Sequence, residues 1–258
     1  MKQKKALKSY LVNIVAITAI YAILMVLMST GVINSFYQGI LAMIGINIIM
    51  AASLNLATGF LGQLALGHAG FMSVGAYAST LFVRYATGIP ENVRFIASLL
   101  LGALVAAVVG LIVGIPALRL KGDYLAIITL GFGEIIRVII ENLGFTGGAQ
   151  GLTKIPQLTS FTTVYIIVII TLVVLYSFIR SRHGRAVMAI REDSIAAESC
   201  GINITFYRTL AFTLSAAFAG IAGGLYAHQV GVLSAKVFGF NKSIEYVVMV
   251  VLGGMGSI

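Results

Sequence analysis

Long apolar runs alternate with short polar joints along this chain, and the length of each run predicts the element it forms. A bilayer core about 30 Å thick needs roughly 20 apolar residues in helical form. Residues 10–30, 39–58, 95–115, 124–140, 161–179 and 206–228 read as spans on this basis. The passage 59–70, GFLGQLALGHAG, breaks the pattern because it is too glycine-rich and polar for a lipid-facing helix. In hydrocarbon, backbone polar groups must be satisfied by the protein itself. This passage therefore predicts a protein-covered, broken or re-entrant element, which 71–85 continues to the outer face. Residues 244–252 are too short to cross alone and read as re-entrant or as the start of a span. The expected fold is all-α and polytopic, with about eight transmembrane or re-entrant helices.

The polar joints add direction. Lys2, Lys4, Lys5 and Lys8 precede the first run, and Arg119 and Lys121 follow Pro116. Arg180, Arg182, Arg185 and Arg191 follow the run 161–179. Basic residues favour the cytoplasmic side, which places the N-terminus there. Six crossings then return Arg180–Arg191 to the cytoplasm, so span parity and charge bias agree. The joint 141–160 has Glu141 and Lys154 as its charges and Gly147, Gly148 and Gly151 as turn formers; it reads as external, as does 229–240. The lysine-rich start resembles a signal peptide, but 10–30 is long enough to span and lacks a clear small-x-small cleavage site, so it reads as a retained helix. The sequence stops at Ile258 in an apolar, glycine-rich passage without a polar tail, which predicts that the natural chain continues.

Composition agrees with lipid as the main solvent. The chain is 59% hydrophobic and 10% charged, where a soluble domain carries about 25% charged residues. A net charge of +9 would otherwise suggest nucleic acid, but the cations sit in clusters between apolar runs. Cys200 is the single cysteine, which excludes an intrachain disulfide. Neither a linker nor a clear internal repeat divides the chain, so 1–258 reads as one membrane domain.

Four constellations carry candidate chemistry. The joint 181–203, SRHGRAVMAIREDSIAAESCGIN, predicts a short cytoplasmic helix over about 187–201. Ile190, Ala197 and Gly201 fall near one face, where small residues admit another surface, and Arg191, Glu192 and Asp193 offer charges to orient it. The alternative is a solvated loop anchored by arginines. Asn55, Gln63 and His68, with Asn47, are polar at membrane depth; they line a passage or form a structural hydrogen-bond cluster. Glu134 is the fourth candidate for that path or cluster beside Asn55, Gln63 and His68; it is spaced for an i,i+3 pair with Arg137, and a single strong intramembrane acid argues against a proton pump. Gly110 and Gly114, and Ala216, Gly220 and Gly224, make smooth ridges for helix packing. Tyr10, Tyr21 and Tyr85 suit interface anchoring. No phosphate loop, metalloprotease, hydrolase or paired-cysteine motif occurs, and no second metal ligand lies near His68. The sequons at Asn203 and Asn241 read as chance matches.

Asn55–Tyr77 (NLATGFLGQLALGHAGFMSVGAY), Leu118–Arg137 (LRLKGDYLAIITLGFGEIIR), Phe145–Leu152 (FTGGAQGL), Gly184–Gly201, Phe212–Ala227 and Val251–Ser257 (VLGGMGS) occur in order. Together they resemble the membrane permease subunits of branched-chain amino acid ABC importers, the LivH/LivM permease family, with the LivM type nearer. That resemblance implies a non-catalytic, multi-pass permease domain over 1–258 in a bacterial or archaeal plasma membrane. It implies four kinds of partner: a homologous LivH-like permease, two cytoplasmic LivG/LivF-like ATPase subunits, an extracytoplasmic binding protein, and membrane lipid. Nucleic acid is not among them. The chain itself is expected to bind no cofactor or metal, with ATP and magnesium held by the ATPases. The segment 181–203 then carries the coupling motif Glu-Ala-Ala-x-x-x-Gly, with Ala196, Ala197 and Gly201 in place and Ile195 where the glutamate stands. Arg191, Glu192, Asp193 and Glu198 are its neighbouring charges. The implied activity is import of leucine, isoleucine or valine by alternating access. Permeases for urea or short-chain amides are similar. An ATP-independent transporter or channel, and a non-transporting scaffold, are the rivals of other classes.

Overall fold

The computed structural model describes residues 2–86, 88–120 and 122–257, with side chains from Val15 onward. The side chains of the lysines at 2, 4, 5 and 8 and of Tyr10, together with Lys121 and Ile258, lie outside the described residues. The described chain is helical apart from one isolated bridge, Leu152 with Leu233. In order, the helices are α1 (Lys2–Ser29), α2 (Ser35–Asn55), α3 (His68–Tyr85), α4 (Glu91–Ala117) and α5 (Asp123–Asn142). There follow α6 (Phe161–Arg180), α7 (Arg182–Glu192), α8 (Ser194–Ser199), α9 (Ile204–Val230) and α10 (Phe240–Gly253).

Four stretches are long and apolar enough to cross a membrane: Ser35–Phe60, Glu91–Ala117, Phe161–Arg180 and Ile204–Val230. The protein is therefore an all-α polytopic membrane protein. The 27 residues of α4 and of α9 give lengths of about 40 Å, at 1.5 Å per residue. Helix starts follow local chemistry, since Asn34, Ser160 and Asn203 each accept a bond from the N–H three residues on, at 3.0 to 3.2 Å. Pro116 lies in the last turn of α4, which runs one residue past it.

The expected break after α2 is present. Its last turn widens into a π-helical turn over Leu56–Phe60, with Leu61 N–H bonded to Leu56 O at 3.1 Å. Gly62, at φ +74°, then reverses the chain. Residues 53–61 are buried throughout, so the π-helical turn is covered by protein, while Gly62 and Leu64 beyond it are exposed. The return strand rests on α5: Leu66 N–H donates to Thr129 Oγ1 at 3.1 Å. A Cβ at Gly67 would stand 2.0 Å from Thr129 O.

Helices α3, α4 and α9 form the core by touching backbone to backbone. A Cβ at Gly75 would lie 2.3 Å from Gly220 Cα, and one at Gly223 would lie 2.0 Å from Met72 O. The expected ridges take part, for Gly110 meets Ala216 Cβ, Gly114 meets Phe212, Gly220 meets Gly102 O and Ala106 Cβ, and Gly224 meets Leu99. Gly75, Gly102 and Gly223 complete the seam. Helix α1 joins at the edge through Tyr21, whose hydroxyl lies 3.1 Å from Thr162 Oγ1 and whose ring stacks on Tyr165. Tyr21 thus ties α1 to α6, where the sequence suggested an interface anchor.

The joints segregate to two ends. At one end, Arg191 bonds Gly59 O and Arg208 reaches Leu118 O. At the other, Leu152 and Leu233 exchange two 2.8 Å backbone bonds, Ile155 N–H bonds Gly231 O, and the imidazole of His228 sits 2.9 Å from Pro156 O.

The glycine seam makes a prediction. Gly75→Val should lower the thermal midpoint of the detergent-solubilised protein, with overpacking of about 1–3 kcal/mol or more. Gly131→Ala, with nothing within 4 Å of its added Cβ, should leave the midpoint unchanged or raise it slightly. Equal losses at both positions, measured by fluorescence-detected size exclusion after heating, would contradict the seam.

Candidate functional site

The interspan segment is two helices, where the sequence suggested one over 187–201. Helix α7 starts at Ser181, whose hydroxyl accepts from His183 and Gly184 N–H at 3.2 and 3.3 Å. It buries Gly184, Val187 and Ile190 against the bundle. The break falls at Asp193, whose Oδ1 accepts from Ile195 N–H at 2.8 Å and Ala196 N–H at 3.1 Å. An aspartate caps a new helix more favourably than it continues an old one. Asp193 is therefore occupied locally as the N-cap of α8.

The three residues expected on one face divide. Ile190 and Ala197 turn inward, at 3% and 5% exposure, while Gly201 is exposed with open space around it. Gly201 sits at φ +81° and ends α8. Its N–H bonds Glu198 O at 2.8 Å and Ile202 N–H bonds Ala197 O at 3.1 Å, the paired bonds of a Schellman stop. The outward side of α8 presents Ala196, Glu198 and Ile195, the last 76% exposed. This leaves one large aliphatic side chain exposed at the tip of a polar segment.

Arg191 does not serve as a free outward charge. Its Nη1 donates to Gly59 O at the foot of α2. Its stem crosses Gly62, where an added Cβ would stand 2.9 Å from Arg191 Cγ. Asn55 clamps the turn after α10 from the same side: Nδ2 donates to Ser257 O at 2.7 Å, and Oδ1 accepts Gly256 N–H at 2.9 Å. A Cβ at Gly256 would come within 3.0 Å of Arg191 Nη1, and one at Gly59 within 2.3 Å of Gly256 N. The segment 181–203, the break after α2 and the turn after α10 thus meet at one junction. Beside it lies a cleft of about 370 Å³ lined by Gln63, Ile190, Glu192, Ser194 and Arg208, among others. The buried Oε1 of Gln63 has no hydrogen-bond partner there.

The four polar residues expected as one path or cluster belong to separate networks. Asn55 and Gln63 stand at the junction. His68, 1% exposed, places Nε2 at 2.9 Å from Ser53 Oγ. Because that hydroxyl donates its own proton to Met50 O, the imidazole Nε2–H is the donor. Ser215 Oγ in turn donates to Ser53 O at 2.5 Å, which ties α9 to α2. Ala69 N–H meets Ser243 Oγ at 3.3 Å. These hydroxyls were overlooked in the sequence; the signal was a serine recurring on buried faces of three helices. Glu134 and Arg137 form the expected pair at 2.7 Å, and Arg137 also holds Glu141 at 3.0 Å. The other oxygen of Glu134 accepts Phe240 N–H at 3.0 Å and so caps α10. Among the described residues no group of three or more His, Cys, Asp or Glu side chains is placed to hold a metal ion.

Comparison with known proteins shows the family. The family model described as branched-chain amino acid transport system / permease component matches residues 35–258. The high-affinity branched-chain amino acid transport system permease protein LivM of Salmonella typhimurium is 38% identical over 82% of this chain. That of Escherichia coli is 37% identical over the same share. The chain spans 57% of the length of each of these two relatives. The probable branched-chain amino acid transport permease protein LivM of Methanocaldococcus jannaschii is 27% identical over 84% of this chain and 75% of its own length. No solved structure matches at comparable significance. With the matched region running from the start of α2 through α7 and α8 to the turn after α10, the chain belongs to the branched-chain amino acid transport permease family.

Proposed function

We propose that this chain is the non-catalytic permease subunit of an ATP-driven importer for branched-chain amino acids, in the inner membrane of a bacterium or archaeon. Membership of the permease family supports the substrate class. The observation that carries the mechanism is the junction at Arg191, which ties an exposed segment directly to the backbone of a break buried within the protein. In this reading the end holding α7 and α8 faces the cytoplasm, and the outward side of α8 meets an ATPase subunit. ATP and magnesium belong to two such partners. A homologous second permease completes the passage, and an extracytoplasmic binding protein delivers substrate to the far end.

The junction supplies a route for alternating access. ATP-driven closure displaces α8, and α7 moves with it because only the capped joint at Asp193 separates them. Arg191 transmits the displacement to Gly59, and through the neighbouring Gly256 and Asn55 to α2 and α10. Packing resists gradual deformation, so such a push favours a switch between discrete arrangements. Segment 181–203 is then the coupling segment, with Ile195, Ala196 and Glu198 on its contact face. Gly201 shapes that face by ending α8. Asn55 and Gln63 act in the junction, and the His68–Ser53–Ser215 chain holds the break.

Proteoliposomes containing both permeases, both ATPases and the binding protein should accumulate leucine only when ATP is supplied. Equal uptake without ATP would overturn the importer reading, and ATP-dependent uptake of urea or an amide in place of leucine would reassign the substrate. Arg191→Ala should cut leucine uptake by about tenfold while ATP hydrolysis persists, since a hydrogen bond to a charged group is worth about 1.5–3 kcal/mol. A parallel fall in both rates would place Arg191 at the ATPase contact instead. Ile195→Asp should strip the ATPases from the purified complex, with roughly tenfold weaker retention for a buried apolar anchor made polar. Undiminished retention on size exclusion would remove the tip of α8 from the interface.

A further inference from the structure

The end of the bundle opposite the coupling segment carries cations that span parity does not explain. Positive side chains are disfavoured there, yet Arg84 stands in the last turn of α3 and Arg94 in the first turn of α4. Lys154 joins them from the loop between α5 and α6. The three side chains line one cleft of about 520 Å³, with Thr80, Gly151 and Pro156 among its other walls. Among the described residues none of the three has a carboxylate or hydrogen-bond partner, and the buried Nε of Arg94 has no acceptor. A buried donor without an acceptor is destabilising, and three converging cations repel one another. Lys154 is also the one non-glycine residue among those described at positive φ, +59°, a conformation a lysine adopts only when the surroundings impose it. An oxyanion in the cleft relieves the orphaned donor and the repulsion together.

The surroundings say which oxyanion. Arg84 and Arg94 lie at helix ends, the depth of the headgroup phosphates. Around the same hairpin Tyr85, Val93, Ile96 and Leu100 are 72%, 57%, 59% and 63% exposed, an apolar surface for which hydrocarbon is the matching solvent. We propose that the cleft between the α3–α4 hairpin and the 147–156 loop is a binding site for the phosphate of an anionic membrane phospholipid. The proposal needs the chain to be membrane-inserted and is independent of the transport reading. The bound headgroup would pin the hairpin to the loop that Leu152 and Ile155 fasten onto the end of α9.

The test is lipid retention by the purified full chain, solubilised in detergent containing equal phosphatidylglycerol and phosphatidylcholine and read by native mass spectrometry. Wild type should retain phosphatidylglycerol in preference. Arg84→Gln and Lys154→Gln, both at exposed side chains, should each lower its occupancy by about fivefold, the value of one basic residue at a membrane surface. Arg94→Lys should also lower it by losing the Nε donor, and Arg119→Gln at the opposite end should leave it unchanged. Equal retention of the two lipids, or the same occupancy in the Arg84 and Lys154 variants as in wild type, would overturn the site. Displacement by inorganic phosphate without any lipid preference would make it a free-anion site. Loss of binding-protein affinity in these variants with lipid retention intact would assign the cleft to a partner's carboxylate.

Discussion

Everything in this molecule depends on keeping an unwound stretch of backbone out of lipid. Residues 61–67 leave several N–H and C=O groups without helical partners, which the protein must cover wherever lipid would otherwise reach them. The answer is proximity: the break is pressed onto α5 at Gly67 and Gly133, and the helix that follows it is pressed onto α4 and α9 at Gly75, Gly102 and Gly220. In lipid there is no hydrophobic drive to bring helices together, so close van der Waals approach and hydrogen bonds must do so. Side chains at these glycines would hold the elements apart and uncover the break. The hydroxyls of Ser53, Ser215, Thr129 and Ser243 then supply the polar partners in the same places.

A break maintained in this way is also a good receiver of force. A continuous helix spreads a push along its whole length, whereas a turn of seven irregular residues has loose ends whose positions are set by a few contacts. Arg191 grips one of those ends at Gly59, and Asn55 fastens it to the turn after α10. The far side of the same element is held by the buried histidine–serine chain and by Thr129. The element is held by hydrogen bonds where it meets the core and is reached by Arg191 where it meets the segment proposed to couple. The cost of the break and the use of the break therefore share one set of residues.

Much of this architecture was legible in the sequence because its signals are strong in lipid. Apolar run length located α2, α4, α6 and α9 to within a few residues, and glycine density marked the break. What was not legible came from three-dimensional neighbours or from local capping chemistry. Arg191 sits among Glu192 and Asp193 in a polar stretch, and nothing in that spacing tells that its guanidinium points inward. Gln63 and His68 are five apart, yet Gln63 stands at the cleft beside Arg191 while His68 opens α3 against Ser53, so their surroundings differ. Tyr21 has the composition of an interface anchor, but Thr162 and Tyr165 claim it. The split at Asp193 was readable in principle, since an aspartate before a run of SIAA is an N-cap pattern; helical periodicity across it outweighed that signal.

The residues matched to the Glu-Ala-Ala-x-x-x-Gly pattern take on a sharper physical meaning. Its two alanines do different things here: Ala197 is buried against the protein and Ala196 faces out. Its glycine makes no contact, and its conformation ends the helix so that the chain can turn into α9. The acidic position is filled by Ile195 in the first turn of α8, where a carboxylate would favour the positive end of the helix dipole. Asp193, one step outside that turn, already places a carboxylate against the same N–H groups. With the helix start satisfied from position 193, position 195 is released from that duty and can carry an aliphatic side chain. The departure from the motif is therefore a redistribution: charge stabilises the start of α8 from its cap, and the exposed position carries an apolar side chain, which the proposed docking role would use.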